Sequence, residues 1–339
     1  MTAKSLFSVR RQGRGAVRGA GTVVRHTKAR LVRGLFLIVL YALCVGVLSV
    51  PAAAAEKTIG VILPGDVPYY LDVHSIFLSI LSKEGYAGKV GMIVQKPFPD
   101  PISLSNAARK LIALDVDVIV AYGAPATIAA AREKSRIPIV YAGIYDPLVP
   151  KIRARNIVGI SSKLSVTSLL RYLRGLNDIA ILGVLYSAGE EDSILQLREL
   201  LKLSQQYGFR IDAIDLKRPQ DVKSALSGRK LDAIFITGSS IANMAAPAIM
   251  DFAREQKIPT AALLPLKTSP ATVTLAASSK EQGERIAEMV TKILNGTPPY
   301  RLKAESSSDV ELIFNFKEAA AMGFRIPMEL VTEATRLIQ

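Results

Sequence analysis

Cysteine is almost missing from this 339-residue chain, where Cys44 is the only one. It sits inside an apolar run directly after Leu43, whereas a lipid-attachment signal needs a small residue there, which argues against a lipid anchor. After residue 55 no thiol remains, so disulfides, a thiol nucleophile and a thiolate metal site are excluded from that part of the chain. Histidine is nearly as scarce: beyond residue 55 only His74 is left, too little for a metal site and the sole base available to a Ser-His-Asp triad. The same stretch has no Gly-Lys-Ser/Thr phosphate loop and no Gly-x-Ser-x-Gly elbow. The spaced glycines Gly13, Gly15 and Gly19 follow no strand and fail as a dinucleotide fingerprint. No cofactor and no metal are expected.

Acidic residues are absent before Glu56, while nine basic residues from Lys4 to Arg33 lie there; the formal charge of +14 therefore falls to +5 for residues 56–339. The basicity belongs to the leader, and nucleic acid is not an expected partner. The apolar run Leu35–Val50 is short for a membrane span, which needs about 20 residues, and Ala53-Ala54-Ala55 has the small-x-small form that a signal peptidase cuts. Residues 1–55 are expected to be a basic arm and cleaved signal peptide, with cleavage near Ala55-Glu56 and a periplasmic product.

Residues 56–339 are rich in short Val/Ile runs separated by segments of helical period, the pattern of parallel sheets covered by helices on both faces. The runs are Ile59–Leu63, Val90–Val94, Val116–Val120, Ile137–Tyr141, Ile179–Leu185, Ile211–Leu216, Ala233–Ile236 and Thr260–Leu264. The alternation restarts after Ile157–Ser161, and the 284 residues exceed a usual single core. The expected fold class is α/β, with two doubly wound parallel-sheet lobes joined by a multi-crossing hinge. Lobe 1 is expected to hold 56–160 plus about 272–300, and lobe 2 to hold 161–271 plus about 301–339. Ser279-Lys280-Glu281-Gln282 reads as a capping box, Ser193 as the start of another helix with Leu197, Leu200 and Leu201 inward, and Asp100-Pro101 as a third start.

Ligands of open α/β sheets bind beyond the carboxyl ends of the strands. Gly65, Gly123, Gly143 and Gly238 stand at such ends, where glycine permits a tight turn and close backbone approach. Six tyrosines (Tyr69, Tyr70, Tyr122, Tyr141, Tyr145 and Tyr186) fall at or just after strand ends, and about half of them should line a cleft. Charged candidates are Asp66, Asp146 and Lys267; a carboxylate at a strand end can pair with a ligand ammonium or simply begin a turn. The expected ligand-binding set is Asp66, Tyr69, Tyr122, Gly123, Ala124, Tyr145 and Asp146 from the first half, with Tyr186, Ser187, Gly238, Ser239 and Ser240 from the second.

Three segments carry a resemblance: Asp117-Val118-Ile119-Val120-Ala121-Tyr122-Gly123-Ala124-Pro125-Ala126, Ile137-Pro138-Ile139-Val140-Tyr141-Ala142-Gly143-Ile144-Tyr145-Asp146-Pro147, and Asn156-Ile157-Val158-Gly159-Ile160-Ser161. With Ile181–Tyr186, Leu231–Ile236 and the tail Phe314–Pro327, the chain resembles the ABC-transporter substrate-binding family that includes tryptophan- and tyrosine-binding members, of the type I periplasmic binding protein fold. The resemblance implies a non-enzymatic, monomeric receptor whose lobes close on a small molecule, an amino acid among the candidates, and which docks on an ABC permease. Where similar proteins have a Gly-Ala pair and an Asp-Tyr-Tyr-like stretch around the return strand, this chain has Pro270-Ala271-Thr272-Val273 and Ser278-Ser279-Lys280. Two other readings remain open at this point: a sensor partner of a membrane receptor, and an exported enzyme on the same architecture dependent on Asp146 or His74.

Overall fold

A computed structural model describes residues 56–146, 152, 154–266 and 270–339. The leader, Pro147 and Lys267 fall outside the described residues. In chain order the elements are β1 (Lys57–Ile62), α1 (Pro68–Lys83), β2 (Val90–Gln95), α2 (Pro101–Ala113), β3 (Val118–Tyr122), α3 (Gly123–Arg132), β4 (Ile139–Ile144) and β5 (Ile157–Ser161). There follow α4 (Val166–Arg174), β6 (Ile181–Tyr186), α5 (Glu191–Tyr207), β7 (Arg210–Asp215), α6 (Val222–Leu226), β8 (Ala233–Ile236), α7 (Ser240–Met244), α8 (Ala246–Gln256), β9 (Thr260–Ala262) and β10 (Val273–Ala277). The chain ends with α9 (Ser279–Leu294), β11 (Glu305–Ser306), β12 (Val310–Asn315), α10 (Phe316–Ala321), α11 (Met328–Val331) and β13 (Arg336–Ile338). All eight Val/Ile runs became strands, with ends that differ from the runs by up to a few residues.

The strands form two sheets, ordered β11-β5-β4-β3-β1-β2 and β13-β12-β10-β9-β8-β6-β7. Pairing in the first is parallel throughout; in the second only β10 and β12 run antiparallel. Because side chains alternate across a strand, each sheet has two apolar faces and needs helices on both. Val118 and Val120 of β3 pack with Phe77 of α1 and Ile286 and Val290 of α9, while Ile119 and Ala121 pack with Leu104 and Leu111 of α2 and Ala126 of α3. In the second sheet, Leu182 and Val184 of β6 face Leu169, Leu173 and Leu200 of α4 and α5, and Leu185 faces Val222, Ile249 and Ala253 of α6 and α8.

The expected return of the chain needs correcting. Val273–Ala277, assigned with 272–300 to the first lobe, is a strand of the second sheet, flanked by β9 and β12. Only the helix after it, α9, packs on the first sheet, and β11 then pairs with β5 before β12 rejoins the second. Helix starts also differ from expectation. Ser278, not Ser279, caps α9 by accepting from the Glu281 N–H, and the Glu281 carboxylate turns instead to Ser307, Ser308 and Asp309. Ser193 lies inside the first turn of α5 rather than capping it, and Leu201 is exposed. Asp100 caps α2 as expected, accepting from the N–H groups of Ile102 and Ser103.

Candidate functional site

The carboxyl ends of the two sheets meet around a small recess. Tyr70, Gly143, Tyr145, Ser162 and Leu164 line it from the first sheet and the crossing after β5; Asp192, Gln196, Gly238, Leu263 and Leu264 line it from the second. Its volume is about 10 Å³, near the size of one water molecule.

Tyr70, on the first turn of α1, determines how little space is left. Gly123 directly follows β3 and Gly143 lies within β4; their φ values are +77° and +69°, a backbone that L side chains rarely adopt. A Cβ at Gly123 would stand 2.5 Å from the Tyr70 hydroxyl, and one at Gly143 would stand 2.9 Å from its ring. The two glycines therefore seat the protein's own tyrosine, rather than presenting bare backbone to a ligand. The Gly143 turn is held in turn by Gln282 of α9, whose Oε1 accepts the Gly143 N–H at 2.8 Å and whose Nε2 donates to the Ser161 carbonyl at 3.1 Å.

From the other side, two acidic residues enter at the start of α5. Glu190 is buried and spans the start of α7: Oε1 accepts from the Ser239 hydroxyl (2.6 Å) and the Ile241 N–H (3.1 Å), Oε2 from the Ser240 N–H (2.7 Å). Burial raises its pKa, and those donors pull it back. Asp192 crosses to the first sheet, where Oδ2 accepts the Tyr145 N–H at 2.9 Å. Its other oxygen, Oδ1, is buried without a hydrogen-bond partner. Burial pushes the Asp192 carboxyl up to about 7, opposed by the N–H groups of Tyr145 and Asp146 and reinforced by Glu190. Among the described residues neither Glu190 nor Asp192 forms an ion pair.

Further contacts bind the two sides. The Tyr145 hydroxyl lies 2.8 Å from Glu199 Oε2 of α5, Leu195 packs against the cluster of Ala124, Ile128 and Ile144, and Met244 lies over Gly65. Of the residues expected at the site, Tyr145 and Gly238 line the recess, the latter donating its N–H to Gln196 Oε1 at 2.7 Å. Gly123 acts through Tyr70, and Ser239 and Ser240 through Glu190. Asp66 is exposed on the β1–α1 turn, Tyr69 is core, and Tyr186 closes β6 on the edge of its sheet's core. The Ser187 N–H donates to Ser193 Oγ, and Asp146 pairs with Lys163 at 3.5 Å. Tyr122 is fully buried, and its hydroxyl meets His74 Nδ1 at 3.0 Å; burial and Lys96 lower the pKa of His74. Asp192, Gln196, Ser162 and Leu164 were not legible as site residues. The signal available was the acidic triplet Glu190-Glu191-Asp192 directly after the β6 turn.

Residues 69–338 match the family described as ABC transporter substrate binding protein. The chain belongs to that family. No curated sequence relative matches it. Among solved structures it is similar to an ABC domain in complex with L-Trp from Streptococcus pneumonia, at 20% identity and a TM-score of 0.77, covering 84% of this chain and 100% of that one. A conserved domain protein from Vibrio cholerae gives 23% identity and a TM-score of 0.77 over 83% and 99% of the two chains. An ABC transporter solute binding protein from Bacillus halodurans with bound myo-inositol gives 14% and 0.57 over 78% and 96%. The architecture is that of the type I periplasmic binding proteins, two parallel-dominant sheets with a cleft between their carboxyl ends. Among the described residues no helix is long and apolar enough to cross a membrane.

Proposed function

We propose that this substrate-binding protein is an exported receptor that captures a small organic solute between two lobes and delivers it to an ABC permease in the inner membrane. Residues 1–55 carry it across that membrane and are removed. One lobe comprises 56–161 with 279–306, and the other 166–277 with 310–339. The observation that carries this reading is the recess built jointly by both sheets, with Asp192 of one side bonded to the backbone of Tyr145 on the other. Such contacts exist only when the sheets are together, so a ligand that strengthens them shifts the population toward the closed form, and the permease responds to that form. L-Trp and myo-inositol, bound by proteins of this fold, support a small organic solute in general terms. The receptor works as a monomer, and no bond of the solute is broken.

A thermal-shift screen of the purified full chain against amino acids, polyols, nucleosides and small organic acids tests this. A solute at one hundred times its dissociation constant stabilises the protein by about 2.7 kcal/mol. A saturable shift with at least one solute is the expected result, and none with any class would overturn the receptor reading.

A further inference from the structure

We infer that the groove at the amino ends of β4 and β5, at the opposite end of the first sheet from the recess, is a second binding site. It takes a phosphate monoester with an apolar or aromatic body, held through Arg136 and Arg155. This site is separate from the solute recess, and neither depends on the other.

Ile139 of β4 and Ile157 of β5 are register partners, so the turns that precede them lie side by side. The Asn156 side chain ties those turns together: its Nδ2 donates to the carbonyls of Ser135 and Ile137, at 3.0 and 2.8 Å, on either side of Arg136. The Asn156 carbonyl accepts the Ile139 N–H at 2.8 Å, and Ser135 Oγ accepts the Ile137 N–H at 3.1 Å. Arg136 and Arg155 are therefore carried on one braced unit, and both line the groove. Exposed arginines ordinarily stand apart in solvent or beside a carboxylate. Here neither forms an ion pair among the described residues, and no acidic side chain lines the groove. The acids nearest to them in sequence are engaged elsewhere, Glu133 with Arg109 and Asp146 with Lys163.

A guanidinium presents its N–H donors in a planar fork that matches phosphate oxygens, and a phosphate monoester carries close to two negative charges at neutral pH. Two braced guanidiniums match one such group in both charge and donors, where a carboxylate would answer only one of them. The far wall suits the body of the ligand. Gly296, at a φ of +92°, ends α9 and turns the chain so that Pro298 and Tyr300 face the groove with Ile293 and Pro138. The Tyr300 residue is 63% exposed, which leaves a ring face for stacking. The groove has a volume of about 560 Å³, within the range of about 300–1,000 Å³ that small-molecule sites occupy.

The test uses the full chain as wild type, as the double variant Arg136→Gln with Arg155→Gln, and as Tyr300→Ala, titrated calorimetrically with phenyl phosphate, inorganic phosphate, benzoate and benzyl alcohol. Phenyl phosphate should bind the wild type saturably and more tightly than inorganic phosphate or benzoate, and benzyl alcohol should not bind. The double variant should bind phenyl phosphate at least tenfold more weakly, and Tyr300→Ala should bring it down to the level of inorganic phosphate. All three side chains are exposed, so the variants keep the fold, which their unfolding transitions check. The basic residues before Glu56 are common to every protein compared and cannot produce the difference. Absence of saturable phenyl phosphate binding, or undiminished binding by the double variant, would overturn the site whatever the recess is found to hold. Co-sedimentation with phosphatidylcholine vesicles that contain or lack phosphatidic acid separates the two sources of the phosphate. Binding to the acidic vesicles that the double variant loses assigns it to a lipid headgroup, and vesicle binding unaffected by the substitutions assigns it to a soluble ester.

Discussion

The backbone N–H of Tyr145, at the end of a first-sheet strand, donates to a carboxylate oxygen of Asp192, which lies 47 positions later on a helix of the second sheet. The bond ties closure of the recess to an ionisable group with an unusual titration. Because the Asp192 pKa is raised to about 7 from 3.8, the folded protein holds a proton that the unfolded chain gives up between those values. Its contribution to stability is therefore present at low pH and lost as pH rises from about 4 toward 7, on the order of 4 kcal/mol for a shift of this size. Urea unfolding of ligand-free wild type and Asp192→Asn at pH 5 and pH 8 should show the wild type losing stability relative to the variant at the higher pH. Parallel behaviour of the two proteins would contradict it.

The seat of Tyr70 can be probed from both sides. Gly143→Ala places a methyl 2.9 Å from the ring at a φ of +69°, and should cost about 1–3 kcal/mol from crowding and backbone strain together. Truncating the ring as well removes the crowding and leaves the strain, so Gly143→Ala should cost less in a Tyr70→Ala background. A double-mutant cycle by denaturant unfolding measures that coupling.

Gln282→Ala leaves the buried Gly143 N–H without its partner and removes one of two donors to the Ser161 carbonyl, which keeps the Ser307 N–H. A destabilisation of about 1–3 kcal/mol is expected, with faster amide exchange at Gly143 than elsewhere in the first sheet. Unchanged exchange there would show that the turn holds without the glutamine.

At the C-terminus, Glu333 forms a two-bond pair with the Arg171 guanidinium and accepts from the Tyr172 hydroxyl. These donors depress its carboxyl to about 2. A depressed acid contributes stability above its usual titration range near 4.5 and loses it as pH falls through the folded value. Glu333→Gln should therefore loosen residues 328–338 at pH 7, seen as faster hydrogen exchange in that segment, and make little difference at pH 2.

The strands were legible because a doubly covered parallel strand must be apolar on both faces, and runs such as Val118-Ile119-Val120 have few other uses. The sheet to which Val273–Ala277 belongs was not, since an apolar run pairs equally well in either; β12 and β9 decide it from a distance. The same holds at the site. Gly123 and Gly143 announced a close approach, but what approaches is Tyr70, whose position depends on how α1 lies across the first sheet. Asp192 reads in sequence as part of a solvated helix start, because only the opposing backbone of Tyr145 reveals that this start is enclosed.

The chain passes between the sheets after β5, between β10 and α9, and between β11 and β12. No single cut can therefore release either half with its parts complete. A fragment ending near Ser162 lacks α9 and exposes the apolar side of its sheet, while the remainder carries α9 with nothing beneath it. Gene splitting at the apparent midpoint should yield two insoluble pieces, and their recovery as a folded pair would require that they meet during synthesis. The passages proposed as the hinge thus also make the protein indivisible.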